Sequence, residues 1–437
     1  MTSTLTRLLL TVTVSLLTAC GSTPSSQAGD RPGQAAPRYD YLATVPLQIG
    51  DTATSVQSAV GGTVVAWDNS GCVSGLAGSC QALVGMNSTS SLSAQSLGNK
   101  LGRPVAVEAN KDQFSGGGVL TSTMSGSLAI WADGSLAIWA DGHYAPIPQN
   151  SNLWNTVHLQ QAQGLAPHLG AGVTVAVIDT GLDLKHPAFA GSLTDPSTWI
   201  DYVGGDAVPQ DEGTLGVGGY GHGTNVAGII LQIAPKAKIM PIRVLGPDGS
   251  GDVVNVANAI TWAGAHGANV INLSLGSLSD SPAVRNAISA VLAKHVLVTS
   301  SAGNSNIATL TFPAANPLNV DGLVSVGSVD SQDVKSAFSN YSQNLRIVAP
   351  GENVYAPAPG NMMAAWSGTS QAAPMAAGAL ALALGEPLKV PVSNLEGILQ
   401  NSAFNIYTNP LNSRFANNQL LGNGRLDLSA FLAQSIQ

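Results

Sequence analysis

Charged residues are scarce in this chain, and basic residues never cluster. Lys, Arg, Asp and Glu together make up 10% of its 437 residues, against about 25% in an average soluble domain. The 25 acidic side chains outnumber the 17 basic ones, which gives a net charge of −8. Because nucleic-acid phosphates are bound by clustered Lys and Arg, we expect no nucleic acid among the partners of this protein.

Long apolar runs are also lacking. The run Leu8–Ala19, which follows Arg7, is too short to cross a bilayer as a mature helix and is typical of the core of a secretory signal. It leads into Leu17–Gly21 (LTACG), which resembles a bacterial lipobox, where the cysteine becomes a lipidated N-terminus. We therefore expect residues 1–19 to be a signal peptide and Cys20 to carry a membrane-binding lipid. An ordinary signal peptide with a chance cysteine is the alternative.

Cysteine occurs at three positions only, Cys20, Cys72 and Cys80. Neither of the last two has a histidine or a further cysteine nearby, which excludes a zinc site there. An exported protein meets oxidising conditions, so we expect a disulfide between Cys72 and Cys80. Closing so short a loop would contribute roughly 2–3 kcal/mol. Two free thiols are the alternative.

Composition and periodicity divide the rest of the chain into four parts. Residues 20–38, rich in Ser, Pro, Gly and Gln, are expected to form a disordered tether. Residues 39–114 follow the order β-α-β-β-α-β of a small α+β, ferredoxin-like domain. Residues 115–152 are a connector, and residues 153–437 are one α/β domain. The predicted strands of the small domain are Leu42–Ile49, Gly62–Trp67, Gln81–Met86 and Pro104–Glu108, and its predicted helices are Thr52–Val60 and Ser91–Leu101.

The connector contains a perfect tandem repeat, in which Gly126–Asp133 (GSLAIWAD) recurs as Gly134–Asp141. Two copies are too few for a solenoid. The repeat therefore predicts a β-hairpin or a lengthened connector. A binding role for Trp131 and Trp139 is less favoured.

The C-terminal part alternates apolar strands with helical stretches such as Val253–His266 and Ala283–Lys294. Near-continuous apolar runs suit strands of a parallel sheet that is covered on both faces. The pattern predicts a doubly wound, mostly parallel α/β sheet, whose functional residues gather at the carboxyl ends of the strands. The predicted strands are Val173–Ile178, Lys238–Val244, Ala268–Leu275, Val296–Ser300 and Leu323–Val329.

Three glycine-flanked motifs carry the residues that a hydroxyl nucleophile needs: the attacking oxygen, a base for its proton and a carboxylate that orients the base. They are Val177–Gly181 (VIDTG), Gly221–Gly228 (GHGTNVAG) and Gly368–Pro374 (GTSQAAP). Ser370 opens a helical run, with Pro374 expected in its first turn. Taken singly, Ser370 would be a helix cap, Asp179 a turn residue and His222 an ordinary histidine.

Together the three motifs resemble those of the subtilisin-like (S8) serine peptidases, and the closing Gly422–Asp427 (GNGRLD) extends the likeness to the end of the chain. The resemblance implies Asp179, His222 and Ser370 as the catalytic triad. Residues 39–114, with Val105–Asn110 (VAVEAN), resemble the family's propeptide, which assists folding and temporarily inhibits the enzyme.

The resemblance also implies further site residues. Asn304, in Ser301–Asn304 (SAGN), would hold the oxyanion together with the Ser370 N–H. Substrate would lie as an added strand between two edges, one formed by Gly249, Ser250 and Gly251 in a loop, the other by Ser274, Leu275 and Gly276 at a strand end. Phe312 would line the primary pocket.

The chain departs from the family pattern at a few positions. Asn225 stands where a second histidine is usual, and Gln371 and Met375 replace a methionine and a histidine; these changes are expected to alter packing rather than abolish activity. Many relatives insert a calcium loop after Gly228, whereas this chain continues directly to Pro235. We expect no required cofactor and no high-affinity calcium site there, and a calcium site elsewhere stays open.

These features predict a serine endopeptidase of the bacterial cell envelope that acts on proteins or peptides. The precursor would be tethered through lipid on Cys20 and inhibited by its own propeptide. Self-cleavage between Ser115 and Asn155 would then release the mature domain outside the cell. The alternative function is a catalytically silent, peptide-binding envelope protein on the same fold.

Overall fold

The computed structural model describes residues 39–69, 72, 80–87, 93–110, 112–115, 128–132, 139–140, 143–144, 146–214, 216–316 and 321–437. The predicted signal peptide, Cys20 and the tether lie outside these residues. The described chain forms a small N-terminal unit, a connector and a large α/β unit. Among the described residues no helix is long and apolar enough to span a membrane.

The N-terminal unit has the predicted β-α-β-β-α-β order. Its strands form one antiparallel sheet in the order β2-β3-β1-β4. Thr52 and Ser93 cap the two helices by accepting N–H bonds, which satisfies otherwise unpaired donors. Cys72 and Cys80 are joined by a disulfide. The elements are β1 (Tyr41–Pro46), α1 (Ala53–Val60), β2 (Thr63–Asp68), β3 (Gln81–Met86), α2 (Ala94–Leu101) and β4 (Ala106–Ala109).

Four short strands follow β4: β5 (Asp112–Ser115), which ends at the start of the connector, and, within the connector, β6 (Leu128–Ala132), β7 (Trp139–Ala140) and β8 (His143–Tyr144). Strand β6 belongs to the first copy of the repeat, and β7 belongs to the second. Among the described residues β6 and β7 do not pair with each other: β7 pairs with β8, whereas β6 joins a hairpin of the large unit. The interpretation of the whole repeat as a hairpin or a lengthened connector stays a prediction.

The large unit is built on seven parallel strands in the order β10-β11-β9-β13-β14-β15-β16, as the apolar runs predicted. Its elements are α3 (Ser151–Thr156), α4 (Leu159–Leu165), β9 (Thr174–Asp179), β10 (Ile200–Asp201), α5 (His222–Ile233), β11 (Lys238–Arg243), β12 (Ser250–Asp252), α6 (Val253–Ala265), β13 (Val270–Leu273), α7 (Pro282–Leu292), β14 (Leu297–Ser301), β15 (Leu323–Val329), β16 (Ile347–Pro350), β17 (Val354–Ala358), β18 (Met362–Ser367), α8 (Thr369–Leu384), α9 (Leu395–Asn401) and α10 (Leu428–Ser435).

Both faces of this sheet are covered, as in a doubly wound fold. In β9, Val175 and Val177 pack into the apolar cluster that contains α5 and α8. Ala176 and Ile178 pack into the cluster that contains α6 and α7. Side chains alternate across a strand, so an all-apolar strand is stable only where both faces are buried. Asp179 is the last residue of β9 and therefore lies at the edge formed by the carboxyl ends of the strands, where α5 and α8 begin.

Candidate active site

Asp179 and His222 meet where β9 ends and α5 begins. His222 Nδ1 lies 2.7 Å from Asp179 Oδ1, and both side chains are fully buried. The same carboxylate oxygen accepts the Thr180 N–H at 2.8 Å. Gly223 makes this approach possible, because a Cβ at that position would lie 2.2 Å from the Gly181 carbonyl oxygen. The glycine after the histidine is thus required by close packing.

Ser370 lies in the first turn of α8 and is 4% exposed. It exchanges two hydrogen bonds with Ser274: the Ser370 hydroxyl donates to the Ser274 carbonyl at 3.2 Å, and the Ser274 hydroxyl donates to the Ser370 carbonyl at 2.7 Å. His222 Nε2 is buried and has no hydrogen-bond partner among the described residues. The Trp366 ring packs edge-on against the imidazole at 5.6 Å between ring centroids. The structure therefore joins the histidine and the aspartate in one buried contact and places the serine, also buried, at the start of α8.

Pro374 does not lie in the first turn of the helix, and the prediction for this residue is wrong. Helix α8 begins at Thr369, which places Pro374 inside it. A proline there cannot donate to the carbonyl four residues earlier, which belongs to Ser370. That carbonyl is satisfied by the Ser274 hydroxyl instead. Because Pro374 cannot donate to it, the Ser370 carbonyl is left to accept the Ser274 hydroxyl. Through this bond Ser274 holds Ser370.

Asn304 lies beside the start of α8 with its amide oriented by Thr369. Its Oδ1 accepts the Thr369 N–H at 2.8 Å and the Thr369 hydroxyl at 2.9 Å. The Thr369 hydroxyl oxygen also accepts the Gly303 N–H at 3.1 Å. Because Oδ1 is engaged twice, the Nδ2 group is the part of the amide left to face a ligand.

One predicted binding edge is a strand rather than a loop. Ser250 and Gly251 belong to β12, which pairs antiparallel with β5, and Gly249 precedes it with φ of 83°. The loop prediction was wrong because a three-residue segment of this kind forms a strand only when another chain segment lies beside it. The edge therefore accepts an extended backbone, here Asp112–Ser115.

The second predicted edge follows the end of β13. Ser274 and Leu275 are buried, so an extended ligand would meet mainly backbone there. Gly276 approaches the Thr311 side chain so closely that a Cβ would lie 2.5 Å from Thr311 Oγ1. A Cβ on Gly303 would lie 2.8 Å from Thr311 Cγ2. Thr311, which the sequence did not single out, thus fills the space between this edge and the Asn304 loop.

Phe312 lies next to Thr311 and pairs through its backbone with Ser277. It also lines a small pocket with residues at the start of α7. The contacts of Gly276 and Gly303 place Thr311, not the Phe312 ring, between the two loops. The proposed pocket role for Phe312 remains a prediction.

Two departures from the family pattern contact each other. Gln371 Nε2 donates to Asn225 Oδ1 at 3.4 Å, and Asn225 Nδ2 donates to the Ala364 carbonyl at 3.3 Å. Both side chains are fully buried. Asn225 lies on α5 and Gln371 on α8, so this amide pair links the helix that carries His222 to the helix that carries Ser370.

Asp211 is a buried acidic residue that the sequence analysis missed. It is 2% exposed and accepts hydrogen bonds from the Gly221 N–H at 3.1 Å and the Thr224 hydroxyl at 2.7 Å. Burial raises the pKa of Asp211 to about 7, and the nearby Asp179 charge adds to that rise, whereas the two hydrogen bonds oppose it. No motif surrounds Asp211 in the sequence. The only sequence feature that relates to it is Thr224 of the histidine motif, which donates to it.

Among the described residues no cluster of three or more His, Cys, Asp or Glu side chains is arranged to hold a metal ion. Helix α5 runs without interruption from His222 to Ile233, so the segment after Gly228 continues the helix.

The chain is similar in sequence to a known protein family and to individual members of it. The profile of the Subtilase family (Peptidase S8) matches residues 170–424. Subtilisin Savinase from Lederbergia lenta is 38% identical over 222 residues, which cover 49% of this chain and 76% of that protein. Thermitase from Thermoactinomyces vulgaris is 35% identical over 244 residues, which cover 54% of this chain and 82% of that protein.

Similarity also extends to solved structures. A protease from Pseudoalteromonas arctica superimposes with a TM-score of 0.54 at 26% sequence identity, and the match covers 66% of this chain and 98% of that one. The family match includes Asp179, His222, Asn304 and Ser370. With its parallel sheet and buried Asp–His pair, the chain belongs to the subtilase family of serine-type endopeptidases.

Proposed function

We propose that Ser370 is the nucleophile of this peptidase, His222 its general base and Asp179 the group that orients the base. The observation that carries this assignment is the buried 2.7 Å contact between Asp179 Oδ1 and His222 Nδ1. With Nδ1 held by the carboxylate, Nε2, which has no partner among the described residues, is left to act as the base. In the proposed reaction the Ser370 hydroxyl leaves the Ser274 carbonyl and donates to this nitrogen.

The chemistry follows from these positions. Ser370 Oγ attacks the carbonyl carbon of the scissile peptide while His222 Nε2 takes its proton. The oxyanion is bound by Asn304 Nδ2 and the Ser370 N–H at the positive end of α8. His222 then donates the proton to the leaving amine, and an acyl-enzyme remains on Ser370. Water attacks this ester with the same base, which releases the acid and restores the serine.

Substrate binding would rely on main-chain contacts at β12 and at residues 274–276. The pairing of β5 with β12 supports this view, because an extended segment already occupies that edge. Hydrogen bonds to backbone are independent of side-chain identity. We therefore assign the enzyme broad specificity for protein and peptide substrates.

The N-terminal unit is proposed to be an inhibitory propeptide, and its contacts with the large unit support this role. Glu108 Oε1 accepts the Ala283 N–H at the start of α7 at 2.9 Å. Asn110 Oδ1 accepts the Val254 N–H at the start of α6 at 3.4 Å. Leu42 and Leu83 pack into the apolar cluster of these helices. Strand β5 follows directly and fills the β12 edge, which blocks substrate.

We further propose that the precursor is exported, lipidated on Cys20 and cleaved between Ser115 and Asn155. Cleavage separates the lipid anchor from the mature domain, which would then be released outside the cell. The LTACG sequence supports the lipid, and the location of β5 at the β12 edge supports cleavage downstream of it.

One experiment tests these assignments together. The full chain is expressed with its signal in a bacterial host, as wild type and as Ser370→Ala, and both are examined by intact mass spectrometry. We expect the wild type to be cut between Ser115 and Asn155 and to react with a fluorophosphonate probe. The variant should stay uncut and unlabelled, with a diacylglyceryl mass on Cys20.

The possible results separate the individual proposals. A correctly folded wild type that the probe does not label would favour the catalytically silent peptide-binding protein. Labelling of an active chain that is still intact from Cys20 would contradict self-processing alone. A Cys20 without lipid would contradict the anchor and leave the peptidase assignment unaffected.

Calcium is proposed to be dispensable at the segment after Gly228, because α5 continues there as an uninterrupted helix. We expect the thermal midpoint of the Ser370→Ala protein to change by less than about 2 °C between excess chelator and micromolar calcium. Binding of a ligand at 100 times its Kd would add about 2.7 kcal/mol, equivalent to several degrees. A shift of that size would refute the prediction for the molecule as a whole.

A further inference from the structure

The segment that carries His222 is held from two sides. On one side Gly223 N–H donates to Thr180 Oγ1 at 3.0 Å, and His222 contacts Asp179. On the other side lies Asp211, whose own N–H donates to the Leu182 carbonyl at 2.9 Å. Asp211 is thereby anchored to the turn that follows β9, the strand that presents Asp179.

The hydrogen bonds of Asp211 bracket the histidine in sequence. One comes from Gly221, immediately before His222, and the other from Thr224, two residues after it. Helix α5 has no side-chain cap of its own, because its N-cap residue is Gly221 with φ of 90°. The Asp211 carboxylate takes over this capping from a separate loop, and a negative charge is favourable at a helix N-terminus. Loss of this carboxylate would free the first turn and, with it, the imidazole.

Holding a helix with a buried carboxylate costs free energy. Burial disfavours the ionised form, and the resulting rise in the pKa of Asp211 to about 7 shows that cost. The groups that interact with it are Asp179 on β9, Thr224 on α5, and Tyr220 in the preceding loop. The pKa of Tyr220 is itself raised by burial and by the charges of Asp211 and Asp183. A neutral amide of the same shape would pack at lower cost, so the presence of a carboxyl group here points to a role in the site beside it.

We propose that Asp211 is a positioning residue for the hydrolytic reaction, one that fixes the first turn of α5 and thereby holds His222 in place. This inference rests on the proposed role of His222 as the base. The side-chain hydrogen bonds of Asp211 go to the first turn of α5 and the residue before it. Its effect is exerted through the orientation of the histidine, and it should therefore appear in kcat and not in KM.

The first test compares Asp211→Asn with wild type in hydrolysis of a chromogenic peptide, with rates normalised to sites titrated by fluorophosphonate. The amide keeps the shape and removes the charge. We expect kcat to fall about 10- to 100-fold, the range found when groups that orient reactive ligands are changed, with KM within twofold.

Asp206→Asn provides a matched control, since it removes the same charge from an exposed position upstream of Asp211. It should leave kcat unchanged. Thr224→Val removes one of the two hydrogen bonds, and Thr224→Ser retains the hydroxyl. We expect loss of kcat in the first and near-normal kcat in the second.

The dependence of thermal stability on pH reports the ionisation of Asp211 without any need for turnover. The folded protein holds the Asp211 proton up to about pH 7, whereas the unfolded chain releases it near pH 4. Folding therefore takes up a proton between these values, and stability from this group falls as pH rises through that window. In the Ser370→Ala background, Asp211→Asn should raise the thermal midpoint relative to its parent by several degrees more at pH 7.5 than at pH 4.5.

These outcomes decide between a positioning role and a merely structural one. If wild type is active while Asp211→Asn matches Asp206→Asn in kcat, the inference is overturned and the proposed function stands. If wild type itself is inactive, the proposed function fails instead. Should Asp211→Asn not fold, an unchanged kcat in Thr224→Val would overturn the inference.

Discussion

Replacement of Ser370 by alanine is expected to lower kcat about 10⁶-fold, the loss measured for the equivalent change in subtilisin, a relative of this chain. The hydroxyl makes one hydrogen bond, to the Ser274 carbonyl, so its removal should scarcely affect folding. The expected residual rate comes from the oxyanion site and substrate binding. Hydrolysis of a chromogenic peptide, together with the thermal midpoint of each protein, measures both effects.

Ser289→Ala is the matched control, because its hydroxyl also donates one hydrogen bond to a backbone carbonyl but lies on α7. We expect wild-type turnover from it. Asp179→Asn should lower kcat about 10⁴-fold, since an amide at this position favours the wrong imidazole tautomer. Turnover by purified Ser370→Ala near the wild-type rate would exclude Ser370 as the nucleophile.

Removal of the Asn304 amide is expected to lower kcat by about 10²–10³, with little change in KM, a magnitude also known from subtilisin. The amide donor is needed only when negative charge develops on the carbonyl oxygen, so its loss raises the barrier more than it weakens substrate binding. Asn304→Asp is the sharper variant. It keeps an oxygen acceptor for the Thr369 N–H and hydroxyl and removes the donor.

Thr369 offers a graded comparison for this prediction. Thr369→Val removes the hydroxyl that orients the Asn304 amide and should lower kcat about tenfold, whereas Thr369→Ser keeps the hydroxyl and should be close to wild type. Steady-state kinetics on one peptide substrate distinguishes these cases. A raised KM with unchanged kcat in Asn304→Asp would show that the amide contacts ground-state substrate and would contradict the oxyanion role.

The residues predicted from sequence lie in motifs whose local geometry is demanding. Asp179 follows an apolar strand, and Gly223 must be glycine because the Gly181 carbonyl leaves no room for a Cβ. Although the constraint on Gly223 comes from a residue distant in sequence, it fixes a glycine within a short motif, and a single sequence therefore displays it. The loop prediction for β12 was wrong for the opposite reason, since it forms a strand only through β5, which is distant in sequence.

Asp211, Thr311 and the Asn225–Gln371 pair show the same limit at the site itself. Asp211 lies in a loop without periodicity, and its function depends on bonds to Gly221 and Thr224. Asn225 and Gln371 were recognised as separate departures from a pattern, yet they lie in contact across two helices. A contact between distant residues leaves no local trace in either segment.

By itself the sequence determined the doubly wound α/β class, the serine peptidase family and the residues proposed for its triad, because strand periodicity and glycine-flanked motifs are properties of neighbouring residues. Only the tertiary structure decided that Ser274 holds Ser370 through a carbonyl that Pro374 leaves unbonded, that β5 occupies the β12 edge, and that Asp211 caps the helix of His222. These arrangements arise from packing between distant segments, where the space left by one element sets the hydrogen bonds available to another.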